Sequence, residues 1–239
     1  MSGVLLIGAG GLGCGAALAL AAGGARELVV VDDDRVDESN LHRQVLHTEA
    51  AVGTLKVESL ARSLGTRVPG MKVTPVVGRF DAASARRLVA DAEVIVDGSD
   101  NLATKFLAND AAVLGARPLV HGAAVATGGQ LLTVPAGGRP CYRCLFEELP
   151  APDASAPSCA EAGVLGPVPG VIGALQATEA LRILRGESPT FSGRLIRYDS
   201  PLMTFRAVRF RANPTCRVCG ESPSIISLVA SEYVSRECV

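Results

Sequence analysis

The sequence lacks an excess of charge of either sign, since 23 lysines and arginines face 24 aspartates and glutamates, for a formal net charge of −1. Such a chain offers no overall attraction to nucleic acid or to anionic membranes, so we expect neither as a partner. Charged residues make up 20% and hydrophobic residues 48% of the chain, which is typical of a well-packed globule and argues against disorder. A length of 239 residues suits one α/β domain.

The chain also lacks the features of a targeting segment. Residues 3 to 25 carry no charge, but no basic segment precedes them, and Gly-Gly-Leu-Gly interrupts their apolar character. A signal peptide or a membrane span needs a longer uninterrupted apolar block. We therefore predict a cytoplasmic protein.

The seven cysteines are an odd number, and four of them form two C-x-x-C pairs. This spacing suits a metal better than a disulfide framework, and four thiolates make a closed, structural zinc site. A redox C-x-x-C is expected to open a helix, and the gap of about seventy residues is too long for a zinc finger. We predict that zinc ties the end of the chain back to its middle through Cys141, Cys144, Cys216 and Cys219.

A glycine-rich loop near the amino terminus organises the first half. The apolar run Val4-Leu5-Leu6-Ile7 leads directly into Gly8-Ala9-Gly10-Gly11-Leu12-Gly13, and a helical pattern follows from Cys14 to Ala22. In such a strand–turn–helix unit, the glycines and the helix amino terminus bring N–H groups close to a phosphate. Asp32 ends a second apolar run, Leu28 to Val31, where an acid can accept ribose hydroxyls. The pattern predicts a nucleotide site without naming the nucleotide.

Strand-like runs and helical patterns alternate through residue 122, which predicts a Rossmann-like, doubly wound and mostly parallel α/β sheet. Later strand-like runs predict an antiparallel extension toward the carboxyl end. Residues 147 to 163 form a long proline- and alanine-rich crossover loop, which is typical of functional or disordered segments. We predict a nucleotide-binding half over residues 1–135, a crossover, zinc and antiparallel region over 136–220, and a tail or linker over 221–239. After the second strand, the predicted helices are Lys56–Leu64, Ala82–Ala92, one ending near Leu114, and Val171–Leu184, and the predicted strands are Val73–Val77, Val94–Val96, Leu119–Gly122, Gln130–Val134, Leu195–Tyr198 and Phe205–Phe210.

Two cations follow the ribose-binding acid. An enzyme that splits a triphosphate needs such cations, since charge develops on the α-phosphate and on the pyrophosphate leaving group, and Arg43 and Lys56 could supply them. On spacing alone, ordinary solvated surface charges are the better interpretation of both. Asp100 lies just past a buried strand, where it could hold Mg²⁺, although a helix-capping role for Ser99 or Asp100 fits as well.

Cys159 lies at the end of the crossover loop, where a thiol can act as a nucleophile or be incidental. Cys14 is predicted to pack within the first helix, and Cys238 to be inert. The histidines show no metal-ligand spacing, and His121 is expected to pack beside its strand.

These residues together resemble the MoeB/ThiF/HesA family, bacterial relatives of ubiquitin-activating enzymes. The motifs that carry the resemblance run from about residue 3 to residue 220 in a specific order. They are Gly8–Gly13, Asp32–Asp34, Ser39-Asn-Leu-His-Arg-Gln44, Gly53-Thr-Leu-Lys56, Asp97-Gly-Ser-Asp-Asn101, Cys141-Tyr-Arg-Cys144, Cys159 with Ala162-Gly163-Val164, and Cys216-Arg-Val-Cys219-Gly220.

The resemblance implies an adenylyltransferase that joins ATP to the carboxy-terminal glycine of a ubiquitin-like sulfur carrier of the MoaD or ThiS kind. The product is an acyl-adenylate, which sulfur then converts to a thiocarboxylate. By the family pattern Arg43, Lys56 and Asp100 are catalytic, Asp100 serves Mg²⁺, and Cys159 matches a position where some members bind the carrier covalently. The nucleotide-binding set implied by the resemblance is Gly10, Gly11, Asp32, Ser39, Asn40, Leu41, Arg43, Lys56, Asp100 and Asn101.

The resemblance also implies a homodimer and, for the paired cysteines, the family's structural zinc site. Two family features have no match: an amino-terminal arginine that reaches the partner subunit's ATP, and a carboxy-terminal rhodanese-like domain. We therefore expect a separate sulfur donor, either a cysteine desulfurase or a rhodanese-like protein. Two other functions stay open, namely an NAD-dependent oxidoreductase and a non-catalytic module that binds a ubiquitin-like protein. A small carboxylate, a peptide or a modified tRNA base could also replace the carrier as the substrate of adenylation.

Overall fold

The computed structural model describes residues 2–149 and 163–234. Its strands form one eight-stranded sheet in the order β3-β2-β1-β4-β5-β6-β7-β8. The first five strands of the chain are parallel, and β6, β7 and β8 continue the sheet in antiparallel pairs. The strand bounds are β1 Ser2–Ile7, β2 Glu27–Asp32, β3 Lys72–Val77, β4 Ala92–Asp97, β5 Leu119–Val125, β6 Gly128–Val134, β7 Arg194–Asp199 and β8 Thr204–Arg209.

Helices cover both faces of this sheet. The helix bounds are α1 Gly11–Ala22, α2 Lys56–Arg67, α3 Ala82–Ala90, α4 Leu102–Leu114 and α5 Pro167–Leu184. One core cluster joins the sheet to α1, α2 and α5, while another joins it to α3, α4 and the cysteine pairs. The predicted doubly wound α/β fold with an antiparallel extension is therefore confirmed.

Local sequence explains where the helices on the second face begin. Asn101 caps α4, because its side-chain oxygen accepts a hydrogen bond of 2.8 Å from the N–H of Thr104. Asp81 caps α3 in the same way through the N–H of Ser84, whose hydroxyl accepts from the Asp81 N–H in return. The cap of α4 is thus Asn101, neither Ser99 nor Asp100.

Some predicted boundaries differ from the observed ones. Helix α5 begins at Pro167, four residues before the predicted start, since proline is tolerated at the first helical position, where its missing N–H costs nothing. Strands β5 and β6 meet in a tight hairpin, so β6 begins at Gly128 and β5 reaches Val125. The polar stretch from Arg35 to Thr54 contains only two short 3₁₀ turns, Glu38–Asn40 and Glu49–Ala51.

The register brings three chain turns to one edge of the sheet. Ile7, the last residue of β1, pairs with Val31 of β2 on one side and with Asp97 of β4 on the other. The glycine loop, the acid that ends β2 and the loop after β4 therefore emerge side by side. This carboxyl edge of the parallel strands is where ligands of open α/β sheets bind.

The segment after residue 220 folds back onto the protein as far as it is described. Ile225 is buried, and its N–H donates to the carbonyl of Arg217 at 2.8 Å. The division of the chain at residue 220 stays a prediction. Across residues 2–149 and 163–234, no helix combines the length and the apolarity needed to cross a membrane.

Candidate nucleotide site and cysteine cluster

The glycine loop packs too tightly to accept larger residues at two positions. Gly8 has a φ of +90°, a conformation that glycine adopts readily. A Cβ at Gly13 would lie 2.0 Å from the carbonyl oxygen of Gly8, so the helix can approach the end of β1 this closely only with glycine there. Gly10 and Gly11, the predicted nucleotide contacts, are half-exposed at the start of α1.

Asp32 supports this loop from the end of β2. One carboxylate oxygen accepts from the N–H of Ala9 at 2.7 Å, and the other accepts from the N–H of Asp34 at 2.8 Å. Burial raises the pKa of Asp32 above its usual value, although these two backbone hydrogen bonds partly oppose the rise. A carboxylate has about four acceptor positions, so two remain for ribose hydroxyls.

The segment from Ser39 to Gln44 lies against the same loop. The Arg43 guanidinium donates from Nη2 to the side-chain oxygen of Asn40, and its Nη1 atom lies 3.3 Å from Nε2 of His42. A Cβ at Gly11 would lie 3.4 Å from the Arg43 carbonyl oxygen, so this stretch of backbone lines the loop. Ser39 lies exposed in the first 3₁₀ turn, with Asn40 at its end, and Leu41 follows half-buried.

Lys56 is buried at the start of α2 and is tied to the acids that follow β2. Its ammonium lies 2.6 Å from a carboxylate oxygen of Asp34, whose side chain is 65% exposed. An ammonium group has three donors, so this ion pair leaves capacity for a phosphate. The reading of Lys56 as a solvated surface charge is wrong, since only 8% of its side chain is exposed.

The end of β4 contributes a buried acid and the loop after it an exposed one. Asp97 is fully buried and accepts from the N–H and the hydroxyl of Ser99. Asp100 and Asn101, the predicted magnesium and nucleotide residues, are exposed. A Cβ at Gly8 would lie 3.0 Å from the carbonyl oxygen of Gly98, which places this loop directly beside the glycine loop.

Asp97 also anchors a buried charge network that the sequence analysis missed. The Lys105 ammonium of α4 donates to Asp97 at 3.1 Å, and His121 of β5 holds its Nδ1 atom 2.7 Å from the same oxygen. Burial pushes the pKa of Asp97 up, but Lys105, His121 and Ser99 together outweigh burial and hold it well below its usual range. A lysine amid the apolar residues of α4 was the available signal, since buried lysines require partners.

The four paired cysteines converge, although about seventy residues separate the pairs in sequence. Their sulfur atoms lie 3.9 Å apart for Cys141 and Cys144, 3.6 Å for Cys141 and Cys216, and 3.4 Å for Cys144 and Cys219. Tetrahedral zinc with bonds of about 2.3 Å places its sulfur ligands about 3.8 Å apart. A disulfide would need about 2.05 Å. The cluster is therefore compatible with zinc.

The residues between the first two cysteines fasten this cluster to α4. The Arg143 guanidinium donates from Nε and Nη2 to Asp110 at 2.8 Å each, and both side chains are buried. The N–H of Tyr142 donates to Asn109 at 2.8 Å, and the Tyr142 ring lies 4.6 Å from the His121 ring. The Tyr233 hydroxyl donates to Asp110 at 2.9 Å and thus joins the folded-back tail to the same acid. The sequence analysis missed this network as well.

Cys159, the predicted covalent residue, lies outside the described residues, as does Ala162. Cys14 is buried within α1 as predicted, and burial raises the pKa of its thiol to about 12. His121 does pack beside its strand, where burial lowers its pKa.

Comparisons with known proteins identify the family of this architecture. The ThiF family matches residues 1–218. The SAMP-activating enzyme E1 of Haloferax volcanii is 48% identical over 231 residues, which cover 97% of this chain and 84% of that protein. The adenylyltransferase and sulfurtransferase MOCS3 of Anopheles gambiae is 44% identical over 230 residues, which cover 96% of this chain and 52% of that protein. The chain thus spans about half the length of the MOCS3 relative.

Among solved structures, Escherichia coli MccB bound to MccA-N7isoASN superposes with a TM-score of 0.81 at 23% identity, covering 92% of this chain and 67% of that one. At this identity the likeness shows the fold alone. The family match confirms the predicted family. The names of the two relatives, an activating enzyme E1 and an adenylyltransferase, together with that family match confirm the predicted class of enzyme, an adenylyltransferase. The chain belongs to the ThiF family.

Proposed function

We propose that this protein uses ATP to adenylate the carboxy-terminal glycine of a ubiquitin-like sulfur-carrier protein. The observation that carries the proposal is the meeting of the glycine loop, Asp32, the Arg43 segment and the Asp97–Asn101 loop at one edge of the sheet. Two relatives support the substrate class, since they are named a SAMP-activating enzyme E1 and an adenylyltransferase and sulfurtransferase.

In the proposed reaction, a carboxylate oxygen of the carrier attacks the α-phosphorus of ATP, and the bond to the β-phosphate breaks. The products are carrier acyl-adenylate and pyrophosphate. The nucleophile is the substrate itself, so the protein contributes positioning and charge stabilisation. The outer sulfur of a persulfide on the donor protein then attacks the acyl carbon, and AMP leaves. A thiol cleaves the resulting acyl disulfide, which releases the thiocarboxylate and leaves a disulfide between that thiol and the donor cysteine.

We assign the chemistry to the residues at the site as follows. The N–H groups of Gly10 and Gly11 and the amino terminus of α1 face the phosphates, and Asp32 accepts from the ribose. Arg43 donates bidentate hydrogen bonds to phosphate oxygens, while the Lys56 ammonium acts as a point charge beside the same phosphates. Ser39, Asn40, Leu41 and Asn101 complete the nucleotide contacts.

Two metal ions belong to the proposal. Mg²⁺ at the exposed Asp100 would neutralise phosphate charge, because this ion binds through one or two carboxylates and substrate phosphates. Zinc at the four cysteines would be structural, since the protein fills all four ligand positions. We further propose a cytoplasmic homodimer that receives sulfur from a separate desulfurase or rhodanese-like protein, with Cys159 as the candidate covalent residue.

The deciding experiment is ATP–pyrophosphate exchange with a panel of carriers that end in Gly-Gly. Exchange that depends on one carrier, and that stops when its final glycine is removed, is the expected result. Measurable ATP binding with no exchange for any carrier would contradict the proposal and favour a binding module. Tighter binding of NAD than of ATP would instead favour an oxidoreductase.

A further inference from the structure

His47 is buried beside the glycine loop, and its ring bonds both to that loop and to α2. Its Nε2 atom lies 3.0 Å from the Ala9 carbonyl oxygen, and its Nδ1 atom lies 2.9 Å from the Ser59 hydroxyl. A carbonyl can only accept, so Nε2 carries the proton and Nδ1 accepts from Ser59. Burial lowers the pKa of His47, which favours this neutral form. Both ring nitrogens therefore have defined roles.

The bond to Ala9 fixes the direction of a neighbouring donor. The Ala9 carbonyl and the Gly10 N–H belong to one peptide group, which is planar and trans, so the two point in opposite directions. With its carbonyl held on His47, this peptide turns the Gly10 N–H away from the histidine. No backbone carbonyl in the described residues accepts from that N–H, so it remains available to a ligand.

His47 connects three separate pieces of the proposed phosphate site, two through its ring and one through its backbone. It reaches the glycine loop through Ala9, and it reaches α2 through Ser59, one turn after Lys56. The backbone N–H of His47 donates to the carbonyl of Gln44, the residue after Arg43. A shift of this ring would disturb the position of the glycine loop relative to α2.

We propose that His47 is a positioning residue for ATP, because it holds the Ala9–Gly10 peptide so that the Gly10 N–H faces the phosphates. The inference rests on the proposed function, since it takes ATP as the ligand. It predicts a specific pattern of affinities. Loss of the Nε2 donor should weaken the binding of nucleotides that carry phosphates and leave the binding of adenosine unchanged.

Two substitutions separate this role from simple filling of the core. In His47→Gln the side-chain amide can reach the position of Nε2, whereas in His47→Asn it reaches only that of Nδ1. By equilibrium titration we expect His47→Asn to bind ATP about tenfold more weakly and adenosine within about twofold of the wild type. We expect His47→Gln to stay within about threefold for both ligands.

Thr133→Val is the matched control, because it removes a buried hydrogen bond to Glu179 that has no contact with the glycine loop. It should bind both ligands as the wild type does. Equal ATP affinity in His47→Asn and the wild type would overturn the proposal, as would an equal loss for ATP and adenosine. If His47→Asn does not fold, Ser59→Ala decides: about threefold weaker ATP binding is expected, and no change would overturn the proposal.

Failure of this inference is distinguishable from failure of the proposed function. A wild type that binds ATP without carrier-dependent exchange overturns the proposed function, and the His47 variants still test the positioning role. A wild type that shows exchange, with His47→Asn binding ATP normally, overturns only the role of His47.

Discussion

The polar side chains at the carboxyl edge of the parallel strands are held differently from those around the four cysteines. At the edge, Asp100 and Asn101 are exposed, and the Arg43 guanidinium bonds to His42 and Asn40, which lie close to it in sequence. Around the cysteines, Asp110 is fully buried and accepts from both Arg143 and Tyr233. The groups proposed to meet a ligand keep open hydrogen-bonding positions, while the groups around the cysteines have theirs filled from within the protein.

The two regions are also physically connected. The Tyr142 ring of the cysteine region contacts the His121 ring, and His121 bonds to Asp97 at the start of the Asp97–Asn101 loop. Helix α4 carries Asn101 at its amino end and Asp110 near its carboxyl end. Despite this connection, we expect substitutions in the cysteine region to change stability and metal content, and substitutions at the carboxyl edge to change nucleotide chemistry.

The largest effect is expected for Cys216→Ser. Metal binding at a structural site is coupled to folding, so losing one of four thiolates should release zinc and lower the free energy of unfolding by about 5 kcal/mol. Zinc content per chain and urea unfolding measure the two effects. Cys14→Ala, which removes a cysteine outside the cluster, should keep its zinc. A Cys216→Ser protein without zinc and as stable as its parent would refute the structural-metal proposal.

The next largest effect is expected for Asp110→Ala, which leaves the buried Arg143 guanidinium without its carboxylate. This substitution should lower the free energy of unfolding by about 3–5 kcal/mol. The control is Glu187→Ala, which breaks the ion pair with Arg182, where both side chains are 41% exposed. An exposed pair contributes about 0–1 kcal/mol. Urea unfolding compares the variants, and similar losses in both would mean that burial does not distinguish the two pairs.

Arg43→Ala and Asp100→Ala should give the opposite pattern at the nucleotide edge. Removing a group that stabilises developing charge costs about 10²–10³-fold in rate, so pyrophosphate exchange should fall by that factor. The free energy of unfolding should stay within about 0.5 kcal/mol, because neither side chain contributes to the core. Lys72→Ala, which removes an exposed cation of β3, should leave exchange unchanged. Normal exchange in both edge variants would overturn the site assignment.

The sequence was sufficient for the features that depend on local pattern and spacing. The glycine loop, the acid ending β2 and the two C-x-x-C pairs could be located because each follows a short motif with a physical reason for its spacing. The buried contacts of Lys105 with Asp97 and of Arg143 with Asp110 could not, because each partner is one of many charges until the register of α4 is known. His47 was missed for the same reason, since its partners Ala9 and Ser59 lie 38 and 12 residues away.

The smallest effect is expected for Tyr233→Phe, which tests whether the tail belongs to the cysteine region. The phenol contributes one hydrogen bond to Asp110, and burial raises its pKa, so it stays protonated and donating. Loss of this hydrogen bond should lower the free energy of unfolding by about 1 kcal/mol, since Asp110 remains bonded to Arg143. Zinc content should not change, but proteolysis after residue 220 should become faster. The exposed contacts of Arg217 with Glu232 and Glu148 should contribute less to stability. Arg217→Ala therefore serves as the control, with a smaller effect on proteolysis. Equal proteolysis of Tyr233→Phe and the wild type would show that the tail behaves as a linker despite this contact.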